Sequence, residues 1–145
     1  MPDLFLAIAH HVLVFALLGV LVAECLAART LTSSGAVIRI ARIDLWYGIL
    51  ATLIVIAGFS RAAFASKGWL YYSHNAFFWA KIATFAALGL FSIRPTIAIM
   101  RWRRSDKLPD EAAIKSIRLF LHIELGLFFF LPIFAAAMAR GYGGF

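Results

Sequence analysis

Charged residues and cysteines are scarce in this 145-residue sequence, and each scarcity excludes a class of protein. Only 14% of the residues are charged, whereas soluble domains carry about 25%. The single cysteine, Cys25, excludes an intrachain disulfide and a metal cluster held by cysteines. Long loops between the apolar runs are also missing, so the sequence holds no separate soluble domain beside them.

Hydrophobic residues, in contrast, make up 63% of the sequence. Four apolar runs are each long enough to cross a hydrocarbon core of about 30 Å, which takes roughly 20 helical residues. Backbone polar groups in lipid must be satisfied within the segment, so the runs are predicted to be helices. The sequence therefore predicts an all-α, integral membrane four-helix bundle that forms a single domain over residues 1–145. The predicted spans are Leu4 to Ala28, Leu45 to Ala65, Ala76 to Met100 and Ile117 to Ala139.

Basic residues are distributed unevenly between the two sides of the predicted bundle. The first and third loops hold most of them, whereas the opposite side has Arg61, Lys67 and Arg140. The positive-inside rule then predicts a bacterial inner-membrane protein with both termini in the periplasm and with Ser33 and Asp106 near the cytoplasm. This asymmetry accounts for the net charge of +7, so no nucleic acid is expected as a partner.

Ionisable side chains inside the predicted spans fall into two layers. Such side chains are costly in lipid, usually face the bundle interior and often mark a site. Depth along each helix follows from a rise of about 1.5 Å per residue. The outer layer consists of His10, His11, Arg61 and Lys81, with His74 just above it. The inner layer consists of Glu24, Arg42, Asp44, Arg94, Arg118, His122 and Glu124.

The two layers differ in charge balance. The inner layer has three acids and three arginines, so charge-assisted pairs can neutralise it, and we predict a structural ion-pair network there. The outer layer has Arg61 and Lys81 but no acid inside the membrane. Either these cations snorkel to the membrane surface, or they hold an anionic ligand. Two histidines at the same depth suggest that this ligand is a haem with its propionates near the cations.

Helical spacing predicts which of these side chains face inward. Positions 10, 14, 17, 21 and 24, and likewise 44, 47, 51, 54, 58 and 61, alternate steps of four and three, as an inward-facing seam does. His10 and Glu24 are thus predicted to share the inward face, while His11 points about 100° away. His122 differs from His10 in depth by roughly 13–15 Å, which argues against these two as axial ligands of one haem. A second ligand would be His11, His74, a histidine of another subunit, or none.

Four segments resemble an uncharacterised family of bacterial predicted membrane proteins. They are Ala9-His10-His11, Ala41-Arg42-Ile43-Asp44-Leu45-Trp46-Tyr47-Gly48, Phe78-Trp79-Ala80-Lys81 and Met138-Ala139-Arg140-Gly141. That family is similar to the copper resistance D-like group, which includes the HemJ-type protoporphyrinogen IX oxidase, a four-helix haem b protein. In the HemJ type a first-helix histidine and a third-helix lysine are important, and they match His10 and Lys81. The resemblance therefore implies haem binding, although Glu24 stands where the HemJ type has a Pro-Arg pair.

Three hypotheses about function follow from the sequence. The first is a haem b protein in electron transfer or in porphyrin and haem redox chemistry, which includes a haem-dependent oxidoreductase. Its haem would be bound through His10 or His11, with Arg61 and Lys81 near the propionates. The second is a copper-handling protein that uses His10, His11 and His74, and the third is a non-catalytic accessory subunit without a cofactor. The partners considered are the lipid bilayer, a quinone, a porphyrin, a redox protein and a second copy of the chain.

Overall fold

The computed structural model describes residues 2–64, 68–105 and 107–144. These residues form helices and no strand, and four of the helical stretches are long and apolar enough to cross a membrane. The predicted all-α membrane bundle of four helices is therefore confirmed. Lys67 and Asp106, which the orientation prediction uses, lie outside the described residues, as does Ala65 at the predicted end of the second span. The helices are α1 (Pro2–Ala27), α2 (Ser34–Phe64), α3 (Gly68–Ser73), α4 (Ala76–Ser105), α5 (Glu111–Phe128) and α6 (Phe130–Ala139).

The spans pack as a ring in chain order. Helix α1 packs along α2, α2 against α4, α4 against α5 and α6, and α5 against α1. In the described parts of the chain, the α1 backbone stays more than 8 Å from those of α4 and α6, and the α2 backbone stays more than 8 Å from that of α5, so these pairs can meet only through side chains. Each span thus has two neighbours, as in an up-and-down bundle. We call the end with both chain termini and α3 the terminal end, and the end with residues 28–33 and 107–110 the basic end.

The tightly packed core lies in the half of the bundle nearer the basic end. Its fully buried side chains include Leu17 and Leu21 of α1, Ile40 of α2, Ile99 of α4 and Leu121 of α5. In the terminal half, residues 4–16 of α1 and all of α6 contain no buried residue. The terminal half is therefore packed less tightly along α1 and α6, while Ala62, Tyr72 and Phe78 form a smaller buried cluster on its other side. The outer layer of ionisable residues lies in this half.

Helix α2 begins at Ser34, eleven residues before the predicted Leu45. The prediction followed the apolar run, which arginines interrupt on its N-terminal side. These arginines lie on the exposed face, while Val37, Ile40 and Asp44 are buried on the opposite face. The early turns are therefore amphipathic helix and not loop.

The fourth span consists of two helices, α5 and α6, where the sequence predicts one helix over residues 117–139. Pro132 has no N–H, so the carbonyl four residues earlier, that of Phe128, has no partner in the helical ladder. At the break the Phe129 N–H donates to the carbonyl of Gly126, three residues earlier, at 3.3 Å, and not to the carbonyl four residues earlier as in a regular α-helix. The two helices continue in sequence as one apolar stretch, Glu111–Ala139.

The tail after α6 is attached to the start of α4. Asn75, which is 3% exposed, accepts a hydrogen bond from the Phe77 N–H and donates one to the Tyr142 carbonyl at 3.0 Å. The Ala76 N–H donates to the Gly143 carbonyl at 2.7 Å. Gly143 has a φ of +81°, and a Cβ there would lie 2.6 Å from the Phe77 ring. This contact holds the third and fourth spans together at the terminal end.

Candidate cofactor site

His10 lies on the inward face of α1, in the terminal half of the bundle. The same face carries Leu17, Leu21 and Glu24, all buried, so the inward seam predicted from the sequence is confirmed. The imidazole packs against Gly58 of α2, where a Cβ would lie 3.3 Å from Cε1 and 3.8 Å from Nδ1. The Nδ1 atom of His10 is buried and has no hydrogen-bond partner in the described chain. A buried polar atom without a partner is rare in proteins, and an ordered water, an ion or a ligand can supply that partner.

Arg61 and Lys81 are brought to His10 by two other helices. Arg61 lies in the last turn of α2, three residues beyond Gly58, and Lys81 lies near the start of α4. Both cations lie close enough to His10 to interact with it electrostatically, and Arg61 lies close enough to Lys81 to repel it. The Nε atom of Arg61 is buried without a hydrogen-bond partner. Among the described residues no carboxyl group lies within ion-pair distance of either cation, so both positive charges lack an acidic partner there.

The other three histidines are exposed, and the Nδ1 atom of each already has a backbone hydrogen-bond partner. In each, the Nδ1–H donates to the backbone carbonyl four residues earlier. The pairs are His11 with Ala7 at 2.7 Å, His74 with Leu70 at 3.0 Å, and His122 with Arg118. His11 is the neighbour of His10, with ring centroids 6.2 Å apart and ring planes at 88°. His10 therefore differs from the other histidines in burial and in hydrogen bonding.

The copper hypothesis needs His74 to lie beside His10 and His11, and the structure does not bring these three histidines together as a metal site. His74 lies in the turn before α4, which begins at Ala76, so it does not share a helical face with Lys81. In the described part of the chain, no three histidine, cysteine or acidic side chains converge as a metal site would require. A haem, in contrast, takes one or two axial ligands, and His10 can supply one.

The three acids of the inner layer come together in the basic half. Glu24 of α1, Asp44 of α2 and Glu124 of α5 are 2%, 8% and 1% exposed, and we call them the carboxyl cluster. Asp44 and Glu124 each lie close enough to Glu24 to interact with it electrostatically, and Asp44 interacts with Glu124 in the same way. The Thr96 hydroxyl donates to Asp44 Oδ1 at 2.6 Å, and the Tyr47 hydroxyl lies within hydrogen-bonding reach of Glu124. The Oε1 atoms of Glu24 and Glu124 have no partner.

The arginines of the inner layer do not meet these acids, which corrects the predicted ion-pair network. Arg42 and Arg94 are exposed and Arg118 is half-buried, and none reaches a carboxyl of the cluster within the described ranges. The guanidinium of Arg94 lies 5.5 Å from the centre of the Phe120 ring. Depth alone suggested the pairs, but residues two apart on a helix, such as Arg42 and Asp44, point about 160° apart. The residues predicted to form that network were Glu24, Arg42, Asp44, Arg94, Arg118, His122 and Glu124, and no ion pair joins them among the described residues.

Three further residues contribute to these two sites. Gly58 and Tyr47 belong to the inward seam of α2, so the spacing of the sequence already placed them inside. Thr96 follows the buried Pro95 in α4, and no sequence pattern marks it, because its bond to Asp44 crosses between helices.

Comparison with known proteins identifies a family for the whole bundle. A family model described as "Predicted membrane protein (DUF2214)" matches residues 2–143. No curated protein and no solved structure gives a significant match to the chain.

Proposed function

The chain belongs to the DUF2214 family of predicted membrane proteins, and we propose that this member binds haem b in the terminal half of its bundle. One observation carries the proposal. The buried Nδ1 of His10 has no partner, and it lies where two other helices bring Arg61 and Lys81. Haem needs an imidazole for its iron and cations for its propionates, and these three side chains supply both.

Each residue of the site then has a defined role. His10 would bind the haem iron, Arg61 and Lys81 would hold the propionates, and Gly58 leaves room for the imidazole edge. Bound haem supplies one-electron chemistry at its iron. The function that fits is electron transfer or redox chemistry of porphyrin or haem. His11 is the second candidate ligand, for a haem on the lipid-facing side of α1.

The packing of the terminal half supports this proposal. The backbones of α1 and α6 stay more than 8 Å apart within the described residues, and neither helix has a buried residue in that half. The larger buried core lies in the basic half, whereas the terminal half has a smaller cluster of Ala62, Tyr72 and Phe78.

The absorbance spectrum of the purified protein tests the proposal. The chain is expressed in its membrane with ample haem supply, purified in mild detergent, and measured oxidised and then reduced with dithionite. We expect the bands of a b-type haem in stoichiometric amount, with iron confirmed by metal analysis. Stoichiometric copper without haem would favour the copper hypothesis, and neither metal would favour the accessory role.

We also propose that the terminal end faces the periplasm, because the loops at the basic end carry most of the arginines and lysines. In a Cys25→Ser background, Tyr142→Cys is expected to react with a membrane-impermeant maleimide in intact cells, and Thr32→Cys only after lysis. Both positions are exposed in the structure. The reverse pattern of labelling would invert the orientation and move the haem site to the cytoplasmic leaflet.

A further inference from the structure

The carboxyl cluster is separate from the haem site and has no role in haem binding. Glu24 lies fourteen residues beyond His10 on α1, about 21 Å along the helix axis at 1.5 Å per residue. The two sites also differ in charge: the haem site has cations without acids, and the cluster has acids without cations. The carboxyl cluster therefore needs an explanation of its own, apart from the haem site.

Three carboxyl groups buried together need either cations or protons. Charged carboxylates in a low-dielectric interior are strongly destabilising unless they are paired. No described arginine, lysine or histidine pairs with Glu24, Asp44 or Glu124. The same three acids do not converge as metal ligands in the described chain. Bound protons therefore neutralise the cluster better than a metal ion would.

The side chains that surround the carboxyl cluster in the described chain are neutral, so none of them supplies a positive charge to it. Cys25 of α1 is buried, and its thiol donates to the Leu121 carbonyl of α5 at 3.8 Å. Helix α2 contributes the neutral Tyr47, and α4 contributes the Thr96 hydroxyl. Arg29, an exposed residue after α1, acts on Cys25. The unpartnered Oε1 atoms of the two glutamates thus have no cation to accept from, although an added proton could bridge them to a neighbour.

A groove of about 650 Å³ between α2 and α4 reaches this cluster. Asp44, Tyr47 and Thr96 lie in its wall, and Gly48 with Gly89 widens it along the two helices. Arg103, an exposed residue in the last turn of α4, lines the groove at the basic end. The groove therefore extends from Arg103 at the basic end to the buried Asp44, with Ser92 and Thr96 among lining residues that are otherwise mostly apolar.

We propose that the carboxyl cluster is a proton-binding site that exchanges protons with the aqueous phase at the basic end through the α2–α4 groove. A proton from water in the groove binds the Asp44 carboxyl first, since Asp44 lies both in the groove wall and in the cluster. It passes on to Glu124, beside Tyr47, and to Glu24. Only O–H bonds form and break, and no electron is transferred. The inference does not depend on haem.

Infrared difference spectroscopy of the full chain in lipid vesicles tests the site directly. We expect the C=O stretch of protonated carboxyl groups in wild type, shifted when H₂O is replaced by D₂O. Glu24→Gln and Glu124→Gln should each remove part of this band. The control is Glu111→Gln, which alters an exposed carboxyl paired with Lys115 at 2.9 Å and should leave the band intact.

Two matched glycine variants test the route. Gly48→Leu places a side chain in the groove, where the Cβ meets nothing within 4 Å, and should slow the D₂O shift severalfold. Gly19→Leu makes the same change at an exposed position of α1 with equal space, and should leave the rate unchanged. This pair keeps all acids in place, so it remains informative if a glutamate variant fails to fold.

Three results would overturn the inference. A spectrum with carboxylate bands but no protonated carboxyl would show that the cluster is charged. A carboxyl band that responds to Na⁺ or K⁺ and not to D₂O would make it a cation site. Equal exchange rates in Gly48→Leu and Gly19→Leu would exclude the groove as the route.

Discussion

Replacement of His10 by alanine is expected to remove the haem spectrum from the purified, folded protein. The imidazole is the proposed axial ligand, and no other histidine of the described chain is buried at this depth. Loss of a partner outside the coordination sphere alone lowers metal affinity by roughly 10–100-fold. Loss of the ligand itself should exceed that range. The measurement is the haem-to-protein ratio after size-exclusion chromatography, with helical content from circular dichroism as the test of folding.

His11→Ala is the matched control, because it removes an imidazole from the adjacent position of the same helix. The His11 ring is exposed, lies perpendicular to that of His10, and bonds the Ala7 carbonyl. We expect this variant to keep its haem and its spectrum. Haem loss in His11→Ala together with retention in His10→Ala would place the haem on the lipid-facing surface and refute the interior site. Equal loss in both would show that the two histidines contribute together, as in a shared site between two copies.

Much of the fold and part of the site could be predicted because the information is local. Span length and apolar composition determine that the helices cross a membrane. The alternating steps of three and four placed Leu17, Leu21 and Glu24 on one buried face of α1, and the structure confirms that face. The same seam on α2 correctly placed Asp44 and Ile54 inside.

The remaining features depend on how helices are rotated against one another. Depth along the axis suggested that the arginines of the inner layer would meet its acids, but neighbouring members such as Arg42 and Asp44 point about 160° apart. Thr96 became a partner of Asp44 because α4 packs on α2 in one particular rotation. His74, which the sequence places just above the outer layer, lies before α4 begins and so is not on the helix that carries Lys81. A single sequence contains no direct signal for these relations.

The bundle separates its buried charges by sign along the membrane normal. The cationic group lies in the terminal half, and the acidic group lies in the larger buried core of the basic half. Each group would stabilise the other if they were adjacent, yet about 21 Å separates them at helical rise. Such unpaired charge is expensive within lipid. The two proposed sites, one for an anion and one for protons, account for this arrangement.

Neutralising Arg61 and Lys81 together is expected to weaken haem retention without changing the iron ligand. In Arg61→Gln/Lys81→Gln the propionates lose two charge-assisted hydrogen bonds, each worth about 1.5–3 kcal/mol. At tenfold per 1.4 kcal/mol, each lost bond lowers affinity by roughly 10–150-fold. The reduction potential should fall, since removal of positive charge favours the more positive, oxidised iron. The reduced spectrum of the haem that remains should keep its wild-type band positions, because His10 is intact.

Arg140→Gln is the control for this charge effect. It removes an exposed cation at the same end of the bundle, just after α6, and outside the group around His10. We expect haem content, potential and dissociation rate to match wild type in this variant. Dissociation is measured by transfer of haem to apomyoglobin at low and high salt. If the double variant and Arg140→Gln released haem at the same rate, Arg61 and Lys81 would be cations that snorkel to the membrane surface and not the propionate partners.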